Sequence, residues 1–299
     1  MFERFILATD LSAASSAIVS CAGGLRNLGG RHALLLQCLD MQQAASTAFS
    51  YSTAPLEHIL ADQKAILETQ GFEVEARIVR GFAKQEINRI ADQEDYDLIV
   101  VGSHGHSMAA DALLGGVATE VIHSARKPVL VVRLQQGDPG GEICTQPVGC
   151  AFCGHILFPT DFSENADHAF TVVEKLVADH PVPVTLMHVQ DRARLAAHLS
   201  DRLTEFDEID RKRLETLRER LLSKGATDVD VLVGFGSPFA EIVNVARERG
   251  VELIVMGSQG RGFVGEIFLG SVSHRVTRHA PAPVLLVPAP RNRQEVRKG

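Results

Sequence analysis

Two stretches of this sequence carry residue types suited to chemistry. Gly257-Ser258-Gln259-Gly260, followed after nine residues by Gly270-Ser271, is spaced to receive a phosphate or another anion. Glycines let a backbone approach an anion without interference from Cβ, N–H groups at a helix N-terminus favour negative charge, and Ser271 adds a hydroxyl donor. Asp161 closes an earlier apolar run and would bring a carboxylate to the same ligand. The second stretch is Cys144, Cys150, Cys153 and His155, spaced C-x5-C-x2-C-x-H. Three thiolates and an imidazole would fill a tetrahedral zinc shell; the same cysteines would also serve as free thiols or a redox-responsive pair. Cys21 and Cys38 read as small buried apolar residues.

Other motifs fall away on inspection. Gly260-Arg261-Gly262-Phe263-Val264-Gly265 spells G-x-G-x-x-G, but a dinucleotide fingerprint belongs to the first βα turn with an acidic residue about 20 positions on. Here no acidic residue occurs between Glu266 and Glu295. A Walker loop is excluded because Gly-Lys occurs nowhere, and neither Gly-rich loop fits a nucleophile elbow. His104-Gly105-His106 reads as two loop histidines. With no nucleophile and base in evident pairing, binding is expected ahead of dedicated catalysis.

The elements that must position these residues are written twice. Phe5 to Ser12 matches Ile156 to Ser163 at an offset of 151. "DLIVVGSHG" from Asp97 matches "ELIVMGSQG" from Glu252, and "KPVLVVR" from Lys127 matches "APVLLVP" from Ala282, both at 155. A period of this length is a duplicated domain. In each copy short apolar runs (5–9, 33–38, 74–79, 98–101 and 129–132 in the first) alternate with helix-period stretches (12–26, 56–69, 84–91 and 117–124). That pattern predicts two tandem α/β domains, each a doubly wound, Rossmann-like five-stranded parallel sheet. In the second copy a long polar helix, with Leu195, Leu199, Leu203, Phe206, Leu214, Leu217 and Leu221 on one face, closes near Gly225. Ligands of such sheets sit outside the carboxyl ends of the strands, where Asp10 and Asp161 and the two Gly-rich loops fall. The copies are placed at 1–137 and 154–290, with a cysteine-bearing linker over 138–153 and a basic tail over 291–299.

Composition sets the outer bounds. The chain has 299 residues, 45% of them hydrophobic and 22% charged, with a net charge of −7. Residues 1–150 hold 11 basic and 17 acidic side chains and the remainder 19 and 20, so the first half carries most of the negative charge. Phosphate-backbone affinity needs basic surface, and no Trp with only two Tyr leaves few stacking platforms, so nucleic acid is not an expected partner. No apolar run reaches the roughly 18 residues that span a bilayer, and no signal-peptide core follows Met1, which points to a cytoplasmic protein.

The tandem arrangement resembles the universal stress protein family, whose ATP-binding members carry Gly-x2-Gly-x9-Gly-Ser/Thr after the fourth strand. "ILFPTDFSE" and "GSVSHRVTRHAPAPVLLVP" of the second copy carry the likeness most clearly. The resemblance implies a stress-response regulatory module that binds ATP, with Mg, in the second copy. It implies that Gly257, Gly260, Gly270 and Ser271 hold phosphates and ribose beside Val272 and Ser273. Asp161, Pro159 and Thr160 would line the nucleoside pocket, with Val189 against adenine and Met256 flanking. It further implies pairing of the fifth strands into an intramolecular pseudo-dimer, with a homodimer and a protein partner as further assemblies. In the first copy Asp10, Gly102, Gly105 and Gly115 keep the pattern, but Gly116 replaces Ser271, Ala8 replaces Pro159 and Gln37-Cys38 replaces His188-Val189. The first site is therefore expected to be the weaker. A slow ATP hydrolase or adenylyl-transfer enzyme, and a nucleotide-free scaffold, are the competing readings.

Overall fold

The computed structural model describes residues 1–39, 54–103, 114–136, 145–147, 151–191, 203–260 and 269–290. The first copy runs β1 (Arg4–Thr9), α1 (Ala13–Cys21), β2 (His32–Leu39), α2 (Ala54–Thr69), β3 (Glu73–Arg80), α3 (Ala83–Gln93), β4 (Leu98–Gly102), α4 (Gly116–Ser124) and β5 (Val129–Val132). A short antiparallel pair, β6 (Leu134–Gln136) and β7 (Thr145–Pro147), follows in the linker. The second copy runs β8 (Ile156–Pro159), α5 (Glu164–Asp179), β9 (Val184–Asp191), α6 (Leu203–Lys224), β10 (Val229–Gly236), α7 (Pro238–Glu248), β11 (Leu253–Gly257), α8 (Ser271–His279) and β12 (Val284–Val287).

Each copy is a parallel five-stranded sheet, and the two sheets are one. The order is β10-β9-β8-β11-β12-β5-β4-β1-β2-β3, so the expected pairing of fifth strands is present. That central pair is antiparallel, with Val284 opposite Val131, Leu285 opposite Leu130 and Leu286 opposite Val129. All six side chains are buried. An edge strand this apolar would otherwise invite association with another chain, and the duplicate covers it. One face of the sheet is packed by α1, α2, α5 and α6 through residues such as Ile18, Leu67, Phe170 and Leu214; the other by α3, α4, α7 and α8 through Ile90, Val121, Ile242 and Val276. No helix among the described residues is long and apolar enough to cross a membrane.

Two sequence expectations need adjusting. The stretch over 12–26 is not one helix: α1 ends at Cys21 and a 3-10 helix continues over Ala22–Leu28. Gly23 and Gly24 weaken α-helix propagation there, and Gly29 at φ 93 ends it in the left-handed region. Cys21 is buried as expected, but it is disulfide-bonded rather than a free apolar thiol, and its partner lies outside the described residues. Burial alone could not have distinguished the two states, because a half-cystine packs as a thiol does.

Cys38, which is partly buried rather than buried as expected, and Cys153, which is buried, are free. Burial, reinforced by Glu86, pushes the Cys38 thiol up to about 12, and burial with Glu252 pushes Cys153 up to about 11. Since the thiolate is the nucleophile, both should resist iodoacetamide at pH 8 in the folded protein and react once denaturant is added. Peptide mapping by mass spectrometry checks this; prompt native alkylation of either would contradict the burial described.

Candidate functional site

Both copies build the same turn after their first strand. Asp161 Oδ1 accepts hydrogen bonds from the Ser163 amide at 3.1 Å and the Ser163 hydroxyl at 2.6 Å, and Ser163 then caps α5 by accepting from Ala166 N. Asp10 repeats this with Ser12, at 3.1 and 2.5 Å, and also takes the Ser15 hydroxyl. The residue after each aspartate is forced into the left-handed region, Leu11 at φ 61 and Phe162 at φ 54. A non-glycine residue there costs of order 1 to 3 kcal/mol, and such strain concentrates where a side chain must be aimed. One carboxylate oxygen of Asp161 is thus committed to the turn. The other lies next to Gly260, where an added Cβ would come within 2.7 Å of Oδ2.

The Gly-rich loop of the second copy leaves β11 and returns into α8. Gly270 N donates to Ser258 O at 2.7 Å, closing the loop, and Ser258 N donates to Val287 O at 2.9 Å, fixing it to β12. Gly270 is the N-cap of α8 and supplies no side-chain cap. Serines cap α1 and α5, whereas among the described residues α3, α4, α7 and α8 have no side-chain hydrogen bond from their N-cap. Ser271 is exposed on the same turn. This combination of an uncapped helix N-terminus, a tight glycine turn and a neighbouring carboxylate can hold an anion together with a hydroxyl or a metal ion.

Of the residues singled out by sequence, Asp161, Gly257, Gly260, Gly270 and Ser271 converge on this loop. Pro159 and Met256 are buried supports, while Val189 and Val272 are partly buried. Thr160 and Ser273 are present but turned inward. Thr160 Oγ1 accepts from Phe162 N at 3.0 Å, and the Ser273 hydroxyl, only 4% exposed, donates to Gly257 O at 2.9 Å. They shape the site from behind. In the first copy Asp10, Gly102 and Gly115 occupy the matching places, and Gly115 N donates to Ser103 O at 2.8 Å just as Gly270 does to Ser258. An added Cβ at Gly116 would meet nothing within 4 Å, so the serine of the other copy was not lost for lack of room. Gly105 lies outside the described residues.

The structure adds a polar cluster that sequence reading missed. His188 Nδ1 donates to Thr160 O at 2.7 Å, and its Nε2 lies 3.5 Å from Asp210 on α6. Gln190 Nε2 donates to the same carboxylate at 2.9 Å. Phe162 packs on the His188 ring at 4.7 Å, and Arg213 sits 4.0 Å over Phe162. Helix α6 is thereby fastened beside the Asp161 turn. The first copy has a neutral counterpart, in which Gln63 Oε1 accepts from the Thr9 hydroxyl at 2.8 Å and its Nε2 donates to Ser16 Oγ at 3.0 Å. The replacement of Gln37 by His188 between copies was the one signal that could have marked it.

The cysteine cluster is described only in part. Cys144 and Cys150 lie outside the described residues. His155 Nδ1 donates to Arg249 O at 3.3 Å and Nε2 accepts from the Thr185 hydroxyl at 2.9 Å, so neither ring nitrogen is presented to a metal. Among the described residues no group of three or more His, Cys, Asp or Glu is arranged to hold a metal ion.

Comparison with known proteins adds the following. The sequence model of the universal stress protein family matches residues 1–133 and 153–288. A universal stress protein of Methanocaldococcus jannaschii is 33% identical over 151 residues, covering 44% of this chain and 93% of its own. One from Thermus aquaticus is 34% identical over 138 residues, covering 44% and 96%. Among solved structures, a universal stress protein of Archaeoglobus fulgidus superposes with a TM-score of 0.71 over 96% of this chain and 98% of that one; at 24% identity the likeness speaks to the fold.

Proposed function

The chain belongs to the universal stress protein family, and from that premise we propose that it is a regulatory module binding an adenine nucleotide, ATP, at its second copy. The nucleotide state would alter contacts with a protein partner. The observation that carries this reading is the α8 N-terminus. Its N-cap, Gly270, supplies no side-chain cap, and beside it lies a glycine turn in which a Cβ at Gly257 would meet Asn165 Nδ2 at 2.8 Å and one at Gly260 would meet Asp161 Oδ2 at 2.7 Å. Gly260 and Gly270 are suited to lie against phosphates, Ser271 to donate to them, and Val189 and Met256 to flank the base. Mg²⁺ usually takes one or two carboxylates with substrate phosphates, and the Asp161 carboxylate beside Gly260 fits that donor set. Bound there, the ion would neutralise phosphate charge.

Binding is favoured over turnover because no nucleophile and base are paired at this loop among the described residues. Mg-ATP at 100 times its dissociation constant should add about 2.7 kcal/mol of stability, read as a rise of several degrees in melting temperature. Hydrolysis should stay below about 1 per second. No shift at millimolar Mg-ATP would overturn the nucleotide reading, and faster turnover would move the protein to the enzymes.

A further inference from the structure

We infer that Asn165 is a positioning residue for the second-copy anion loop, holding the Gly257–Gly260 turn in the shape that receives a ligand. The inference rests on the nucleotide reading above. Asn165 lies in the first turn of α5 and is only 6% exposed. Its Nδ2 donates to Gln259 O at 3.0 Å, across 94 residues of sequence. The approach is possible because residue 257 is glycine, whose missing Cβ would stand 2.8 Å from that same nitrogen.

The tie completes a set. Gly257 O accepts from the Ser273 hydroxyl, Ser258 O from Gly270 N, and Gln259 O from Asn165. Three successive carbonyls are therefore held by donors from α8, its N-cap and α5. In a trans peptide the C=O and the following N–H point in opposite directions. Fixing Gln259 O against α5 turns the Gly260 N–H away from that helix, and Gly260 N lies 3.5 Å from where a Cβ at Gly270 would be. Asn165 thus orients a backbone donor beside the uncapped end of α8. A purely structural role explains the residue poorly. Its Oδ1 is buried and finds no partner among the described residues, and a half-satisfied buried amide is a weak stabiliser.

The first copy offers a natural comparison. At the repeat offsets Asn165 corresponds to Ala14 and Ser273 to Ala118. Both backbone ties persist there, Gly115 N to Ser103 O and Ser103 N to Val132 O, while both side-chain ties are gone. The copies therefore differ in how firmly the turn is held, in addition to the serine missing at 116.

The test compares wild type with Asn165→Ala and Asn165→Asp, the second matching the shape without the N–H donor. By calorimetry, both variants should bind ATP on the order of tenfold more weakly while adenosine affinity changes less than about twofold, since only the phosphates use the turn. Equal losses for ATP and adenosine, or none, would overturn the assignment. Hydrogen exchange gives a readout independent of nucleotide. In ligand-free protein Asn165→Ala should speed exchange at the amides of residues 258–260 with β8 and β9 unchanged; unaltered exchange there defeats the inference. A wild type that binds no ATP while its variants show the faster exchange would sink the nucleotide reading and leave the positioning role standing.

Discussion

Gly270→Val is expected to abolish the rise in melting temperature that Mg-ATP gives the wild type, a loss of about 2.7 kcal/mol of ligand stabilisation at 100 times the dissociation constant. Gly270 sits at φ −59, an ordinary conformation for any residue, so backbone strain does not enter. A single Cβ would meet Ser258 O at 3.4 Å and Gln259 Cα and Gly260 N at 3.5 Å, which is ordinary contact. Alanine should therefore fold normally. Valine adds two methyls at the position where the turn and the α8 N-terminus converge, and these would occupy the space a phosphate needs. The useful comparison is between ligand-free melting, which should shift little for Ala, and the nucleotide response, which should fall for Ala and vanish for Val. The same change at Gly115 should leave the response intact. Retention of the full shift in Gly270→Val would remove this loop from the site.

The largest expected effect on stability lies at the joint between the copies. Leu285→Asp places a carboxylate opposite Leu130, where both side chains are completely buried and no cation is in register. Losing a buried leucine alone costs about 2.7 to 5 kcal/mol, and an unpaired buried charge adds to that. Whole domains are commonly stable by only about 5 to 15 kcal/mol, so the variant should lose a large part of its margin. The chain has no Trp, so urea unfolding is best followed by far-ultraviolet circular dichroism. Leu222→Asp, at a position 43% exposed on α6, is the control and should shift stability by less than about 0.5 kcal/mol. Similar midpoints for the two variants would mean that the paired fifth strands contribute little.

Much of this architecture could be read from the chain before any coordinates. The repeat offsets, the apolar runs and the glycine spacing identify two equivalent sheets because strands buried on both faces demand continuous Val, Ile and Leu. The convergence of Asp161 with Gly260 and Gly270 follows from strand order alone. What escaped notice depends on contacts between residues distant in sequence. Nothing local to Asn165 announces that its amide reaches Gln259, and nothing local to Ser273, expected beside the ligand, announces that its hydroxyl is spent on Gly257 O. His188 pairs with Asp210 only because α6 folds back over β9. The disulfide at Cys21 was hidden for a similar reason, since spacing does not reveal which thiols meet.

The antiparallel joint has a geometric consequence for the partner contacts proposed above. Strands within each half run the same way, and the halves run oppositely, so the two sets of carboxyl ends open at opposite poles of one sheet. A partner docking at the pole with Asp161 and Gly270 approaches the second copy while the first copy's Asp10 and Gly115 face the other way. The molecule is two-headed, and one flat surface can read one head at a time. The heads are connected through the β5 and β12 pairing, the cores the copies share, the Arg133 Nη1 to Arg278 O hydrogen bond, the Met1 to Asp179 ion pair and the linker.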